Sequence, residues 1–253
     1  FPHLPLHASD AFRGKSQNGR YGDSIEEIDW STGQLMKCLE RCDLAESTLV
    51  IFTSDNGSNG KNGGSNAPLS GNKGSTMEGG MRVPMIARLP RRIPAGSVAT
   101  QLATTMDLLP TLCQWCDAPL PEQQIDGHDI TTILTADAAA KTPYDAFYYY
   151  RRRQLQAIRW GDWKWHLPLE HTFPRWNDVN VTGKGRPGKL VNLRSDLQDR
   201  IDVSDDHPEV MQQMQRFAAR AAKELGNEAR RGSGQRESST LETSKPMLLQ
   251  AGS

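Results

Sequence analysis

Two adjacent residues with oxygen-bearing side chains, Asp55 and Asn56, follow a short apolar segment at 48–53. A carboxylate beside an amide carbonyl offers the hard oxygen ligands that Ca²⁺ and Mg²⁺ prefer. In open α/β sheets, ligands bind beyond the carboxyl ends of the strands, which is where this pair would stand. Asp-Asn-Gly is also a common turn at the end of a strand. The pair therefore indicates either a divalent-cation site or a turn.

Lys73 lies in a glycine-rich segment, Gly-Asn-Lys-Gly-Ser-Thr, at 71–76. A lysine flanked by glycines can bring its ammonium group and nearby backbone N–H groups towards an oxyanion. The segment is not a Walker A loop, because the earlier glycine spacing and the following helix are missing. A solvated loop lysine is the alternative interpretation. Further along, we interpret Glu78 and Arg82 as mainly structural residues at the entry to a strand.

His3 lies between Pro2 and Pro5, and the two prolines favour an extended segment that fixes the direction of the imidazole. An imidazole can donate a proton to a leaving oxygen or a hydrogen bond to an anion. The alternative is a terminal histidine without a function. The other five histidines show no metal-ligand spacing.

The four cysteines form two close pairs, Cys38 with Cys42 and Cys113 with Cys116. Both spacings would place a pair on one face of a helix. The four thiolates could hold zinc, or each pair could oxidise. Free cysteines, however, often serve as small buried apolar residues, and the leucine-rich helical surroundings favour that role.

The first part of the chain alternates helices and strands that would position these residues. An apolar stripe predicts a helix over 21–42. The segment at 48–53 is β-branched and apolar on both faces, which is typical of a central strand in a covered, parallel sheet. A glycine-rich loop follows from 57 to about 80, and a loop of this length is usually functional. Further elements are predicted as a strand at 83–89, a helix at 104–117 that Asp107 caps, and a short helix at 127–134.

After about residue 137 the pattern changes to closely spaced aromatic segments. An antiparallel sheet with a turn at Gly161-Asp162 is predicted from three of them, at 146–150, 155–160 and 163–167. A strand at 189–193 and an amphipathic helix behind Pro208 follow. We therefore predict an α/β domain over 1–136, a small α+β domain with an antiparallel sheet and a C-terminal helix over 137–226, and a disordered tail over 227–253.

The composition narrows the possible functions. Thirty Lys and Arg residues balance thirty Asp and Glu residues, and this zero net charge argues against a nucleic-acid-binding protein. No stretch approaches the ~18 apolar residues of a membrane-spanning helix. The sequence begins with Phe1 rather than Met, and we expect it to be part of a longer protein.

Several segments, in their order along the chain, resemble the sulfatase family, the arylsulfatase-like branch of the alkaline-phosphatase superfamily. Each motif is weak by itself, whereas their common order over residues 1–205 is specific. The matching segments are Pro2–Pro5, Tyr21–Asp29, Thr48–Gly57, Lys73–Pro84, Asp107–Thr111, Asp126–Asp129 and Arg159–Lys164.

The resemblance implies an α/β fold in which residues 1–136 form the C-terminal part of an alkaline-phosphatase-like mixed sheet flanked by helices. It also implies a sulfuric ester hydrolase that acts on an aryl or carbohydrate sulfate ester, in the periplasm or outside the cell. By this resemblance Asp55 and Asn56 bind the active-site cation, usually Ca²⁺, with Mg²⁺ as the alternative. Lys73 would bridge the sulfate and the leaving-group oxygen, and His3 would contact sulfate or help to protonate the leaving group. Such groups stabilise the negative charge that develops as the S–O bond breaks.

One element of the family pattern is missing from this sequence. The family's nucleophile is a formylglycine made from Cys or Ser in a Cys/Ser-x-Pro-x-Arg signature, which occurs nowhere here. The paired aspartates that complete the family's metal site are also absent. We therefore expect a C-terminal fragment of a sulfatase, with the formylglycine in the preceding part. The alternatives are a phosphoester or phosphonate hydrolase of the same superfamily, and a catalytically inactive remnant or interaction module.

Overall fold

The structure of the protein, a computed structural model, describes residues 2–173, 181–228, 230–237 and 243. Its helices are α1 (Gly19–Arg41), α2 (Glu78–Met81), α3 (Leu108–Trp115), α4 (Thr131–Leu134) and α5 (Pro208–Glu224). Its strands are β1 (Val50–Thr53), β2 (Met85–Arg88), β3 (Phe147–Arg151), β4 (Gln154–Trp160), β5 (Trp163–His166), β6 (Leu169–Thr172), β7 (Gly183–Arg186), β8 (Lys189–Asn192), β9 (Gly226–Asn227) and β10 (Arg230–Arg231). Within these ranges, no helix combines the length and the hydropathy of a bilayer-spanning segment.

Helix α1 confirms the helix predicted over 21–42, although it begins at Gly19 and its apolar stripe faces solvent. Ile25, Ile28 and Leu35 are 39%, 40% and 67% exposed. Its buried side is instead polar, because the Asp23 carboxylate accepts hydrogen bonds from the backbone N–H groups of residues 14, 15 and 16. Asp23 therefore fastens the preceding loop to the first turns of the helix.

Strand β1 corrects the prediction of a central strand in a covered, parallel sheet. It forms a two-stranded antiparallel sheet with β2, in which Phe52 lies opposite Ile86. Both side chains are exposed, at 41% and 66%. The pairing is antiparallel because the chain returns through the loop after Gly57 and the short α2, without a crossover helix. All strand pairs in the described ranges are antiparallel, so these residues do not form the expected mixed sheet.

Helix α3 confirms the predicted helix around Asp107, and Asp107 itself is fully buried. Its carboxylate does not cap the first turn of α3. It accepts hydrogen bonds from the backbone N–H groups of Thr104 (2.6 Å) and His128 (2.8 Å) and from the Tyr144 hydroxyl. Asp107 thus joins three separate segments, which lead into α3, into α4 and into β3.

The C-terminal sheet has the antiparallel order β3-β4-β5-β8, which confirms the predicted aromatic sheet and its turn. The turn residue Gly161 has a φ of +58°, which a glycine adopts without strain. Helix α5 begins with Pro208 in its first turn and covers one face of the sheet. The core between them contains Leu155, Ile158, Trp165, Leu190, Val210, Met214, Phe217 and Ala221.

Ordered structure continues beyond residue 226, which corrects the prediction of a disordered tail from 227. Strands β9 and β10 pair with each other, and the Asn227 Oδ1 atom accepts a hydrogen bond from the Leu155 backbone (2.9 Å). The Ser233 N–H donates to the Lys223 carbonyl at the end of α5. These bonds fold the segment back onto the small sheet and its helix. Most of the predicted tail, at 238–242 and 244–253, lies outside the described residues, and the domain boundary at 136 stays a prediction.

Candidate functional site

Asp55 and Asn56 lie directly after the end of β1, as the sequence predicts. The Asp55 side chain is exposed, whereas Asn56 is half-buried. The Asn56 Oδ1 atom is buried and accepts no hydrogen bond from any residue that the structure describes. A buried acceptor without a partner is costly, so this oxygen suits a ligand that it could bind directly.

The glycine-rich loop closes on itself next to these two residues. The Gly57 N–H donates to the Gly80 carbonyl (3.1 Å), and the Gly79 N–H donates to the Ser70 carbonyl (2.7 Å). A Cβ atom at Gly57 would lie 1.8 Å from the Gly79 carbonyl oxygen. Only glycine therefore permits the two ends of the loop to approach so closely.

This closure brings Lys73 back to the end of β1. The Lys73 N–H donates to the carbonyl of Ser58 (2.9 Å), which is two residues beyond Asn56. The Lys73 side chain is exposed and has no described ion-pair partner. The structure therefore brings the backbones of Asp55, Asn56 and Lys73 into one region.

Asn66 holds the middle of the loop, and sequence analysis did not identify it. Its side chain bonds to both backbone groups of Ser58, with Oδ1 accepting at 2.7 Å and Nδ2 donating at 2.8 Å. The Nδ2 group also donates to the Gly71 carbonyl (3.1 Å). Asn66 thus links the start of the loop to the segment just before Lys73. One asparagine among many small polar residues gives no distinctive signal in the sequence.

His3 is exposed, and its Nδ1 atom lies 3.1 Å from the Leu4 carbonyl oxygen. In the described part of the chain, no hydrogen bond or ion pair joins His3 to Asp55, Asn56 or Lys73. The structure therefore gathers three of the four predicted residues, and the role of His3 stays a prediction.

The potential metal-ligating residues in the described ranges are dispersed. Among the residues described, no group of three or more His, Cys, Asp or Glu side chains could hold a metal ion. Cys38, Cys42 and Cys116 are exposed and Cys113 is half-buried, all as free thiols. The preferred role of the cysteines as small buried residues is therefore wrong for three of them. A divalent cation fits Asp55 and Asn56 as a pair of oxygen donors, and this fit rests on the unsatisfied Asn56 oxygen.

Comparison with known proteins identifies the segment that carries these residues. The family model described as Sulfatase matches residues 2–118. Those residues therefore belong to the sulfatase family. The match contains His3, Asp55, Asn56 and Lys73, and the resemblance drawn from the sequence motifs is confirmed.

Two sulfatases from mammals illustrate the similarity. The chain is 41% identical over 167 residues to human steryl-sulfatase, a match that covers 62% of this chain and 28% of the human protein. It is 43% identical over 170 residues to N-acetylgalactosamine-6-sulfatase of Canis lupus familiaris, covering 65% of this chain and 32% of the dog protein. The matches thus span about a third or less of these sulfatases.

Solved structures extend the similarity into the C-terminal sheet. The PsFucS1 sulfatase from Pseudoalteromonas sp. superposes with a TM-score of 0.74 at 29% identity, covering 86% of this chain and 45% of that one. Ps i-CgsB, solved in complex with k-i-k-neocarrahexaose, gives a TM-score of 0.71 at 28% identity, covering 90% of this chain and 49% of that one. The sulfatase likeness therefore extends beyond residue 118.

Proposed function

We propose that this chain supplies part of the active site of a sulfuric ester hydrolase that acts on an aryl or carbohydrate sulfate ester. One observation carries the proposal: the unsatisfied Asn56 oxygen and the Lys73 segment converge at the end of β1 within the sulfatase-family segment. A site for sulfate esters needs positive charge that converges on an anion, and this region holds a potential cation ligand and a lysine. The saccharide in the Ps i-CgsB complex, k-i-k-neocarrahexaose, and the name of the relative N-acetylgalactosamine-6-sulfatase favour a carbohydrate sulfate ester.

Asp55 and Asn56 would hold the divalent cation of this site, with Ca²⁺ as the expected ion and Mg²⁺ as the alternative. When bound, the cation would supply positive charge close to the ester group. Within this chain, Asn56 contributes a neutral, half-buried oxygen and Asp55 a charged, exposed one. The closed loop fixes the backbone that carries both residues.

Lys73 would place its ammonium group between the sulfate and the bridging oxygen of the ester. Negative charge grows on that oxygen as the S–O bond breaks, so the interaction strengthens towards the transition state. His3 would contact the sulfate or donate a proton to the leaving oxygen. The family's formylglycine signature is absent from these 253 residues, and we assign the nucleophile to none of them.

Turnover by the protein from the whole reading frame that contains these residues tests this proposal. We expect hydrolysis of an aryl sulfate to exceed that of the matching aryl phosphate, and we expect chelation of the divalent cation to abolish it. Higher phosphate turnover would instead favour a phosphoester hydrolase. If the protein has neither activity and its reading frame lacks the Cys/Ser-x-Pro-x-Arg signature, the result would indicate an inactive interaction module. Secretion or periplasmic export stays a prediction.

A further inference from the structure

A buried polar network fastens the end of the Lys73 loop to the C-terminal sheet. It is formed by Thr76 and Glu78 on the loop side and by side chains of β3, β4 and β5 on the sheet side. Lys164 and Glu78 lie at its centre, with only 0% and 1% of their surface exposed. Ionised side chains are almost never so completely buried unless they are paired. Surface charge for solubility therefore does not explain this buried pair, which must have another role.

The ammonium group of Lys164 donates its hydrogen bonds to the end of the loop. The Nζ atom donates to the Thr76 carbonyl oxygen and to the Glu78 Oε1 atom, both at 2.8 Å. It also lies 4.0 Å from the centre of the Tyr149 ring, at cation–π distance. One lysine of β5 thus holds both the backbone and a side chain of the segment that follows Lys73.

Glu78 is held from two further strands. The Tyr149 hydroxyl of β3 donates to Glu78 Oε1 at 2.9 Å, and Arg159 of β4 lies 3.3 Å from Oε2. Burial would raise the pKa of Glu78, but the charges of Lys164 and Arg159 and the hydrogen bonds outweigh it and hold the pKa below its ordinary value. The carboxylate therefore stays ionised and keeps its three partners.

A second buried contact, between Thr76 and Gln156, lies beside this ion pair. The Thr76 hydroxyl donates to the Gln156 Oε1 atom of β4 at 2.9 Å, and both residues are buried. The Gln156 amide in turn donates to Gln154 Oε1 at 2.7 Å, on the same strand. The contact has a defined orientation, because the Gln156 amide is hydrogen-bonded through both its oxygen and its nitrogen.

The network lies only three residues from Lys73 along the chain. Between them, the Ser75 N–H donates to the Asn72 carbonyl at 2.9 Å and forms a tight turn around Lys73. On the other side, the Lys73 N–H is fixed to Ser58. The backbone of Lys73 therefore has two supports, one at the end of β1 and one on the C-terminal sheet.

We propose that Lys164, acting through Glu78 and Thr76, is a positioning residue that sets the place of Lys73 in the active site. Buried ion pairs often contribute little net stability when compared with apolar packing, so we assign this pair the role of holding the loop in one arrangement. The C-terminal sheet would thus take part in catalysis without contacting the substrate. This inference rests on the proposed function, because it assumes that Lys73 acts on the sulfate ester.

Hydrogen exchange on the 253-residue chain tests the anchor without any assay of activity. Lys164→Met removes the ammonium group, and we expect amide exchange in residues 57–80 to become about tenfold faster or more. Lys189→Met is the matched control, because Lys189 of β8 also pairs with a buried carboxylate, that of Asp199, and its side chain forms no hydrogen bond or ion pair with the described residues of the loop. It should leave exchange in 57–80 within twofold. Equal acceleration across the whole sheet, or none in the loop, would overturn the proposal.

A milder pair of variants covers the case in which Lys164→Met does not fold. Thr76→Val keeps the shape of the side chain and removes the hydroxyl, whereas Thr76→Ser keeps the hydroxyl that bonds to Gln156. We expect faster exchange at the Lys73 and Gly79 amides in the valine variant only. Indistinguishable exchange in the two variants would contradict a role for this contact.

Kinetics of the complete protein separate positioning from general stability. We expect Lys164→Met and Thr76→Val to lower kcat roughly 10- to 100-fold while KM stays within about twofold, because a small displacement of Lys73 affects the transition state most. Lys189→Met should retain kcat. An unchanged kcat combined with faster loop exchange would overturn the positioning role alone. A parent protein without sulfatase activity would instead refute the proposed function, and the exchange result would still decide whether the anchor exists.

Discussion

Asn56 has a buried amide oxygen that accepts no hydrogen bond from the described residues. Leaving such an acceptor unsatisfied costs roughly 1–3 kcal/mol, which a bound cation would offset. Asp55 and Asn56 nevertheless provide only two side chains, whereas Ca²⁺ takes about 6–8 oxygen ligands. No larger cluster of ligating side chains exists in the described ranges. These residues alone would thus make an incomplete cation site.

We predict that the 253-residue chain binds Ca²⁺ more weakly than micromolar, and that Asn56→Leu abolishes the remaining binding. Titration calorimetry measures both affinities. Asp10→Asn, which changes an exposed carboxylate paired with Arg13, is the control and should retain the wild-type heat. Micromolar affinity of the unmodified chain would contradict the prediction, because it would require ligands that we have not identified.

We predict that Lys73→Ala lowers turnover of an aryl sulfate by the complete protein about 100-fold, as expected when one charged group is removed from a developing oxyanion. The fold should persist, because the Lys73 side chain is exposed and only its backbone N–H supports the loop. Lys61→Ala is the control, since it removes another exposed lysine of the same loop. Lys73 would have no catalytic role if turnover stayed within twofold of wild type.

The conformation of the loop from 57 to 80 depends on glycines at the place where its two ends approach each other. We predict that Gly57→Ala destabilises the chain by about 1–3 kcal/mol, because the new methyl group would meet a backbone carbonyl, which cannot rotate away. Gly33→Ala is the opposite case: within α1 a Cβ atom would meet nothing within 4 Å. That variant should gain about 0.5–1 kcal/mol from helix propensity. Urea unfolding measures both changes, and equal effects would contradict the steric explanation.

The C-terminal sheet could be predicted from the sequence, whereas the burial of Lys164 within it could not. Its strands and turn were predictable, because aromatic segments alternate around Gly161. Lys164 stands between Trp163 and Trp165, and such alternation normally places a lysine in solvent. In this fold the opposite face is also covered, so that Lys164 and His166 are buried. The covering segment is nearly 90 residues away in sequence, and no local pattern reveals it.

His166, on this covered face, should make the free energy of unfolding depend on pH. Its Nε2 atom lies 2.8–2.9 Å from both carboxylate oxygens of Asp199, and burial lowers the pKa of His166 below its ordinary 6.5. The unfolded chain takes up a proton as the pH falls through 6.5, whereas the folded chain takes it up only at a lower pH. The free energy of unfolding should therefore decrease as the pH falls below 6.5.

Urea unfolding between pH 5 and 7.5 measures this slope. We expect His166→Gln to lose most of it, because glutamine can still donate to Asp199 but does not titrate. His7→Gln, a change at an exposed histidine in the first loop, should retain the wild-type slope. A His166→Gln variant with an unchanged slope would show that another group causes the dependence.

At the scale of the whole molecule, apolar residues are distributed unevenly between the two parts of the chain. Most of the buried apolar residues lie in the C-terminal sheet and α5, and most of these form one cluster. In the first part, Trp30, Leu35, Phe52 and Ile86 are all more than 40% exposed. The stripe of α1 and the segment of β1 are therefore apolar in sequence but exposed in the structure. Their burial could not be predicted, because it depends on a covering layer that the described residues do not provide.

We predict that this exposed apolar surface makes the 253-residue chain bind a hydrophobic dye such as ANS, and that Ile86→Lys lowers the dye fluorescence. Ile86 is 66% exposed and faces the same side as Phe52, so the substitution adds charge to a two-residue apolar patch without opening a cavity. Val98→Lys is the matched control, because Val98 is 86% exposed on an irregular segment and has no neighbouring strand. If both lysine variants lowered fluorescence equally, net charge rather than the β1–β2 face would explain the effect. Equal fluorescence of Ile86→Lys and the unmodified chain would mean that this face does not bind the dye.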